Sequence, residues 1–363
     1  MLIQADRLWT GGALARDRLL RVDDGRVAAI AAGGDATPDL RVPLLAPALT
    51  DLQVNGGGGV MVNSDPSPDA LRAIAAAHRA LGTGAILPTV ITDTANVIEA
   101  AAEAAIAVRD EPGQLGLHVE GPHLNVARKG THDPDRIRPL DERTVRVVER
   151  LRAHGVAVKI TLAPEVSDLQ LVARLAATGA VVSAGHSAAT AEETRAALAA
   201  GVSCFTHLYN AMPPMTSRAP GILGVALNSD AFAGIIVDGI HVDWDMVRIA
   251  LRARPRRGLT FAVSDAMATV GGPDHFTLYG QTIAVRDGAL VNAEGSLAGA
   301  HVDMATSLRN LVRHVGLKEE EALAMCTDIP RACLGLPPQQ IGAGTALADL
   351  VAFDDDHGRL EIA

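Results

Sequence analysis

Val156-Ala-Val-Lys-Ile-Thr-Leu162, Asp168-Leu-Gln-Leu-Val-Ala-Arg-Leu-Ala-Ala177, Val181-Val-Ser-Ala-Gly-His186, Ala191–Ala200 and Cys204-Phe-Thr-His207 follow one another with short connections. The first, third and fifth are short apolar runs of strand length, and the segments between them repeat apolar residues at helical spacing. Strand, helix, strand, helix, strand is the signature of parallel pairing, because parallel neighbours need a crossover helix. The same alternation continues in both directions. Candidate strands lie at Leu45–Val54, Ala85–Val90, Gly116–Glu120, Ala233–Asp238 and Thr260–Asp265, and candidate helices at Ser67–Leu81, Ala95–Arg109, Asp141–Ala153 and Trp244–Arg252. Eight strands alternating with helices predict an α/β fold, a (β/α)8 TIM-like barrel. A doubly wound open sheet fits the same count.

The two ends read differently. Leu14–Val22, a turn at Asp23-Asp24-Gly25 and Arg26–Ile30 predict a β-hairpin. Ala348–Phe353, a turn at Asp354–Gly358 and Arg359–Ile362 repeat that pattern. The expected organisation is a small composite β domain from residues 1–44 and 338–363 around a barrel spanning 45–337, with a hairpin inserted at 271–298.

Composition excludes several classes. Of 363 residues 48% are apolar and 20% charged, enough for a packed core and too apolar for disorder. Five Phe, two Trp and two Tyr offer few stacking platforms for single-stranded nucleic acid. Asp and Glu number 42 against 32 Lys and Arg, a net charge of −10 that repels nucleic acid and anionic membranes. An anionic substrate therefore requires a local basic cluster. Cys204, Cys326 and Cys333 form no CxxC pair, which fits a reducing compartment. Met1–Arg7 has no apolar leader core, and no apolar run reaches about 18 residues. A cytoplasmic protein is expected.

Barrel enzymes carry their chemistry at the C-terminal ends of the strands. Those ends read Leu117-His-Val-Glu-Gly-Pro-His123, Ser183-Ala-Gly-His-Ser187, Phe205-Thr-His-Leu-Tyr-Asn210 and Val263-Ser-Asp-Ala266. A carboxylate and two imidazoles converging on a barrel mouth form a catalytic zinc set with an open fourth position. An uncoordinated aspartate beside it can move protons. A lone histidine is more often a hydrogen-bonded core residue, but three ligand-type residues and an aspartate at four strand ends are a stronger pattern.

Asp51–Gly57, His118–Asn125, Arg128–His132, Thr161–Glu165, Ser183–Ser187, Thr206–Met212, Arg218–Gly221, Val237–His241, Ser264–Ala266 and Gly295–Gly299 run in one order along the chain. As a set they resemble the N-acetylglucosamine-6-phosphate deacetylase family of the amidohydrolase superfamily. The resemblance implies Glu120, His186 and His207 as ligands of one divalent metal, Zn2+ before Fe2+, Co2+ or Mn2+, and Asp265 as general base and acid. It also implies His132 or His241 at the acetamide carbonyl. Sugar-phosphate contacts would come from Thr131, Asn210, Ala211, Arg218, Asp238, Gly239, Ile240, His241, Leu297, Ala298, Gly299 and Ala300. The implied reaction is hydrolysis of N-acetyl-D-glucosamine 6-phosphate to glucosamine 6-phosphate and acetate, in a homodimer where Arg218 reaches a neighbouring site. The galactosamine epimer and a cyclic-amide substrate are the alternatives.

Several features depart from the wider superfamily. Its common His-x-His at the end of strand one is replaced by Gln53-Val54-Asn55, and amides are poor partners for a transition metal beside imidazole. One metal is therefore expected. Lys159 falls before the end of strand four and reads as structural. Gly56–Gly59 lacks the Lys-Ser/Thr of a phosphate loop and reads as a mobile loop, and Met212–Met215 as loop packing. Glu319–Glu321 reads as a solvated first helical turn, and His314 and His357 have no evident partners.

Overall fold

The structure, a computed structural model, describes residues 1–34, 36–293 and 295–362; Asp35, Glu294 and Ala363 lie outside the described residues. Eight parallel strands stand in chain order: β1 (Leu49–Val54), β2 (Thr83–Ile91), β3 (Gly116–Glu120), β4 (Ala157–Leu162), β5 (Val181–Ala184), β6 (Val202–Phe205), β7 (Phe232–Ile236) and β8 (Thr260–Val263). Val119 of β3 sits opposite Val90 of β2 and Ile160 of β4. Past the end of β8, Ala266 bridges in parallel to Val54, and its carbonyl accepts the Asn55 N–H at 2.8 Å. First and last strands thus meet in a near-closed barrel, which removes the doubly wound alternative.

Every residue of β1, β3, β5 and β8 is buried. Helices cover the outer face and side chains fill the inside, so even the polar residues of these strands, such as Asp51, Gln53, His118 and Ser183, are shut away from solvent. The predicted helix starts follow capping chemistry. Ser67 Oγ accepts the Ala70 N–H before Pro68–Ala80, and Asp141 accepts the Thr144 N–H before Glu142–Ala153. The second helix buries Val145, Val148 and Leu151 on one face. Gly221–Leu227, between β6 and β7, escapes the sequence reading. It has no side-chain cap, and Ile222–Leu227 are all buried, so it has no polar face to mark a period.

The ends pair as expected. Leu2–Trp9, Leu14–Asp23, Arg26–Ala32 and Leu40–Pro47 join Leu350–Phe353 and Arg359–Leu360 in one mixed sheet. Leu45 lies opposite both Leu8 and Ala352. The single strand expected over 45–54 is two strands separated at Ala48: the first completes the small sheet, running beyond residue 44, and the second opens the barrel. Leu44–Leu49 is an uninterrupted apolar stretch across the junction, so no polar residue marks the change of sheet.

Several other expectations differ from the structure. The hairpin expected within 271–298 is a three-stranded meander, His275–Leu278, Gln281–Arg286 and Ala289–Val291. Its turns, Tyr279-Gly280 and Asp287-Gly288, put both residues at positive φ, the geometry of tight two-residue hairpins. Gly56-Gly57 pairs antiparallel with Val60-Met61, and a Cβ on Gly57 would meet the His78 ring at 2.8 Å, so this is a packed hairpin rather than a loose loop. Glu319 is not merely solvated. It pairs with Arg7 at 2.9 Å and with His357 at 2.8 Å, tying a barrel helix to the small sheet. His314 also has a partner, stacked 4.9 Å from Trp244. Met212 packs inward, whereas Met215 is exposed. No helix among the described residues is long and apolar enough to cross a membrane.

Candidate active site

Glu120, His186, His207 and Asp265 come from the ends of β3, β5, β6 and β8, and the barrel brings all four to one cavity. His186, His207 and Asp265 have φ of +47°, +29° and +53°. Left-handed backbone costs a non-glycine residue about 1–3 kcal/mol, and here it turns each side chain over the barrel mouth just where its strand stops. The His207 Nε2 lies 3.1 Å from Glu120 Oε1 and 3.0 Å from His186 Nε2, and His186 Nε2 lies 3.3 Å from the same oxygen. Three ligating atoms of borderline and hard type thus face one point, and the three residues are at most 5% exposed. A divalent transition metal fits such a donor set.

His132 belongs to the same cluster, since one ligating atom each from Glu120, His132 and His186 also lie within 4.8 Å of one another. Tautomers separate the histidines. His186 Nδ1 lies 2.8 Å from the Arg128 carbonyl, which only accepts, so the proton is on Nδ1 and the Nε2 lone pair faces the cluster. His132 Nδ1 instead accepts the Thr92 backbone N–H at 3.3 Å and lies 2.7 Å from Thr92 Oγ1. Burial, reinforced by the neighbouring His186 ring, pushes the His132 pKa down to about 3. A neutral ring accepting at Nδ1 carries its proton on Nε2, which suits a hydrogen-bond donor and not a ligand. Thr92 follows β2 and has no sequence signal; its carbonyl accepts from Tyr279 of the meander at 2.5 Å.

Gln53 and Asn55 join the carboxylates. Gln53 Nε2 donates to both Glu120 oxygens and to Asp265 Oδ1, each at 3.1 Å, and Asn55 Nδ2 donates to Asp265 Oδ1 at 2.8 Å. Burial opposes ionisation of Glu120, but its contacts with the His186 and His207 rings hold its pKa well below the usual carboxylate range. Asp265 keeps one face on the cavity, yet protein enclosure, with the Glu120 charge added, pushes its pKa up. Two adjacent carboxyl groups with opposed shifts suit different tasks, one fixed as an anion and one able to take up a proton.

Thr131, Asn210, Ala211, His241, Leu297 and Gly299 also line the cavity. The Asp238 carboxylate turns to His241 Nδ1 at 2.6 Å and to the Ile240 and His241 N–H groups, so it orients His241 rather than facing the cavity. That hydrogen bond raises the His241 pKa against the opposing effect of burial. Gly239 packs against Trp244, and Ile240 is exposed. Ala298 and Ala300 are buried, and the Ala300 N–H donates to the Asp265 carbonyl at 3.1 Å. Arg218 is exposed and outside this chain's cavity. Ile91 and Met267 complete the wall, and isolated apolar residues give no sequence signal for that role. Lys159 lies buried within β4, and His118 and His123 are hydrogen-bonded core residues.

The amidohydrolase family model matches residues 44–361. The chain is 38% identical over 373 residues to the N-acetylgalactosamine-6-phosphate deacetylase of Shewanella sp. (strain ANA-3), covering 100% of this chain and 94% of that one. Among solved structures it is similar to N-acetylglucosamine-6-phosphate deacetylase from Pasteurella multocida, with TM-score 0.89 and 33% identity over 99% of this chain and 97% of that one. It is also similar to a point mutant of the Mycobacterium smegmatis N-acetyl-D-glucosamine-6-phosphate deacetylase in complex with N-acetyl-D-glucosamine-6-phosphate. There the TM-score is 0.88 and the identity 31%, over 99% and 96% of the two chains.

Proposed function

The chain belongs to the amidohydrolase family, and on that premise we propose that it hydrolyses the acetamide of an N-acetylhexosamine 6-phosphate. N-acetyl-D-glucosamine 6-phosphate is the proposed substrate, in amino-sugar catabolism, giving glucosamine 6-phosphate and acetate. The observation that carries this reading is the meeting of Glu120, His186 and His207 within 3.3 Å, with Asp265 joined to Glu120 through the Gln53 amide. The galactosamine epimer is the second reading, favoured by the 38% identity to the Shewanella enzyme.

Glu120, His186 and His207 would hold one divalent metal, Zn2+ in our proposal. When bound, it would supply Lewis acidity that makes water a nucleophile near neutral pH and polarises a carbonyl. Asp265 takes the proton of the attacking water and delivers it to the departing amine, so the intermediate expels amine and not water. His132 donates its Nε2–H to the developing oxyanion, a contribution of about 2–4 kcal/mol at comparable sites. His241, oriented by Asp238, holds the sugar or shares that task. Backbone amides at Asn210 and Ala211 and the Thr131 side chain bind the phosphate. In a homodimer the exposed Arg218 reaches the phosphate at the neighbouring subunit's site.

Acetate release from the two 6-phosphorylated N-acetylhexosamines and their unphosphorylated counterparts tests the proposal. Preferred turnover of the glucosamine phosphate is expected. Preference for the galactosamine phosphate selects the second reading, and no turnover of either rejects both. Arg218→Ala should lower kcat/KM for the phosphorylated sugar by roughly ten- to a hundredfold, the worth of one charge-assisted phosphate bond. The unphosphorylated sugar should be affected much less; equal losses would make Arg218 structural.

Elemental analysis after dialysis should count one metal per chain. Gln53 and Asn55 are neutral amides that face Glu120 and Asp265, leaving little ligand charge for a second dication. Two tightly bound metals, both required for activity, would put the protein among binuclear hydrolases.

A further inference from the structure

We propose that Glu165 is a positioning residue for the metal centre, locking the loop after β3 to the loop after β5 so that His186 is aimed at the metal. The inference rests on the metal-dependent reading above and adds to it a residue outside the cavity. Topology explains why this residue can do it. β4 stands between β3 and β5, so the turn that follows it, Pro164–Val166, is flanked by the loops that leave both neighbours.

The Glu165 carboxylate meets three donors from those two loops. Oε1 accepts from Asn125 Nδ2 at 2.9 Å and from the Ala188 N–H at 2.6 Å, and Oε2 accepts from Ser187 Oγ at 2.7 Å. Each contact leads to His186 within a step or two. On the β3 side, the Asn125 N–H donates to the His186 carbonyl at 3.0 Å. The Asn125 carbonyl accepts the Arg128 N–H at 2.8 Å, closing the turn whose Arg128 carbonyl takes the His186 Nδ1–H. On the β5 side, Ser187 and Ala188 directly follow His186. The Ser187 N–H donates to the Ala211 carbonyl at 3.2 Å and its Oγ accepts the Ala189 N–H at 3.0 Å.

His186 sits at φ +47°, a conformation that persists only where its surroundings hold it. Hydrogen bonds to an ionised carboxylate are the stronger kind, and three of them here join both sides of the histidine through one side chain. Outer partners of metal ligands act by fixing ring orientation, and their loss typically costs ten- to a hundredfold in metal affinity or activity.

The test uses the full-length protein loaded with Zn2+. The rate at which 4-(2-pyridylazo)resorcinol strips the metal is read beside kcat and KM for the sugar phosphate. Glu165→Ala should release Zn2+ roughly ten- to a hundredfold faster than wild type and lose kcat, with KM nearly unchanged because Glu165 touches no cavity wall. Glu165→Gln should return release toward the wild-type rate, since its oxygen still accepts from Asn125 and Ala188 and its NH2 can donate to a rotated Ser187 hydroxyl. Wild-type release from Glu165→Ala overturns the proposal. If that variant does not fold, Ser187→Ala, which deletes one donor, should still speed release, and unchanged release there overturns the proposal equally. The metal readout needs no substrate. Wild-type protein that holds Zn2+ but cleaves no acetylated sugar phosphate rejects the function, while fast release from Glu165→Ala in that case supports the positioning role. Wild-type turnover with Zn2+ retained by Glu165→Ala does the reverse, and wild-type protein that holds no Zn2+ overturns both.

Discussion

Asp265→Asn is expected to lower kcat by roughly 10²–10⁴-fold, the range for a group that moves a proton in the rate-limiting step, while metal content stays near wild type. Asp265 faces the cavity but is not one of the three groups whose ligating atoms lie within 3.3 Å of each other. Its pKa is raised by enclosure and by the Glu120 charge, so its proton affinity is tuned toward uptake, and an amide has no such affinity. The replacement is nearly isosteric, and its oxygen can still accept from Asn55 and Gln53, the two donors that hold Asp265 in place. Steady-state kinetics and elemental analysis on one preparation decide the matter. Near-normal kcat would remove Asp265 from the chemistry, and metal loss in parallel with activity would make it a ligand.

Glu120→Gln should strip the tightly bound metal and take activity with it. The loss should exceed the roughly ten- to a hundredfold typical of changes to outer partners of a metal site. Glu120 supplies the only anion of the three proposed ligands, at 2% exposure. A glutamine there brings two conflicts. An amide oxygen is a weaker ligand beside imidazole, and its NH2 would face either the Gln53 Nε2 donor or the histidine nitrogens. Metal content after dialysis reads the effect without substrate. Full wild-type metal content and kcat would exclude Glu120 from the ligand set.

Much of the architecture is legible in the chain. Parallel strands buried on both faces appear as short, mostly apolar runs, and capped helices between them carry Ser67 and Asp141 at their starts. These are local signals, because strand burial and helix capping act over a few residues. The chemistry-bearing residues are legible for a related reason. A barrel collects the C-terminal ends of its strands at one mouth, so Glu120, His186, His207 and Asp265 need only stand at strand ends to meet. Other boundaries carry no local signal. The break at Ala48 lies inside one apolar run, and Gly221–Leu227 is buried nearly all round.

Only the tertiary structure decided which histidine presents a lone pair and which a proton. By residue type His132 and His186 are equivalent. They differ because Nδ1 of one faces the carbonyl of Arg128, 58 positions away, and Nδ1 of the other faces the N–H of Thr92, 40 positions away. The positive φ of His186, His207 and Asp265 and the grip of Glu165 on two loops are of the same kind. Composition and periodicity record how much surface an element buries and on which side. A tautomer or a strained dihedral depends on a single hydrogen-bond partner brought in by the fold from a distant part of the chain, and a partner of that kind imposes no pattern on the residues around it.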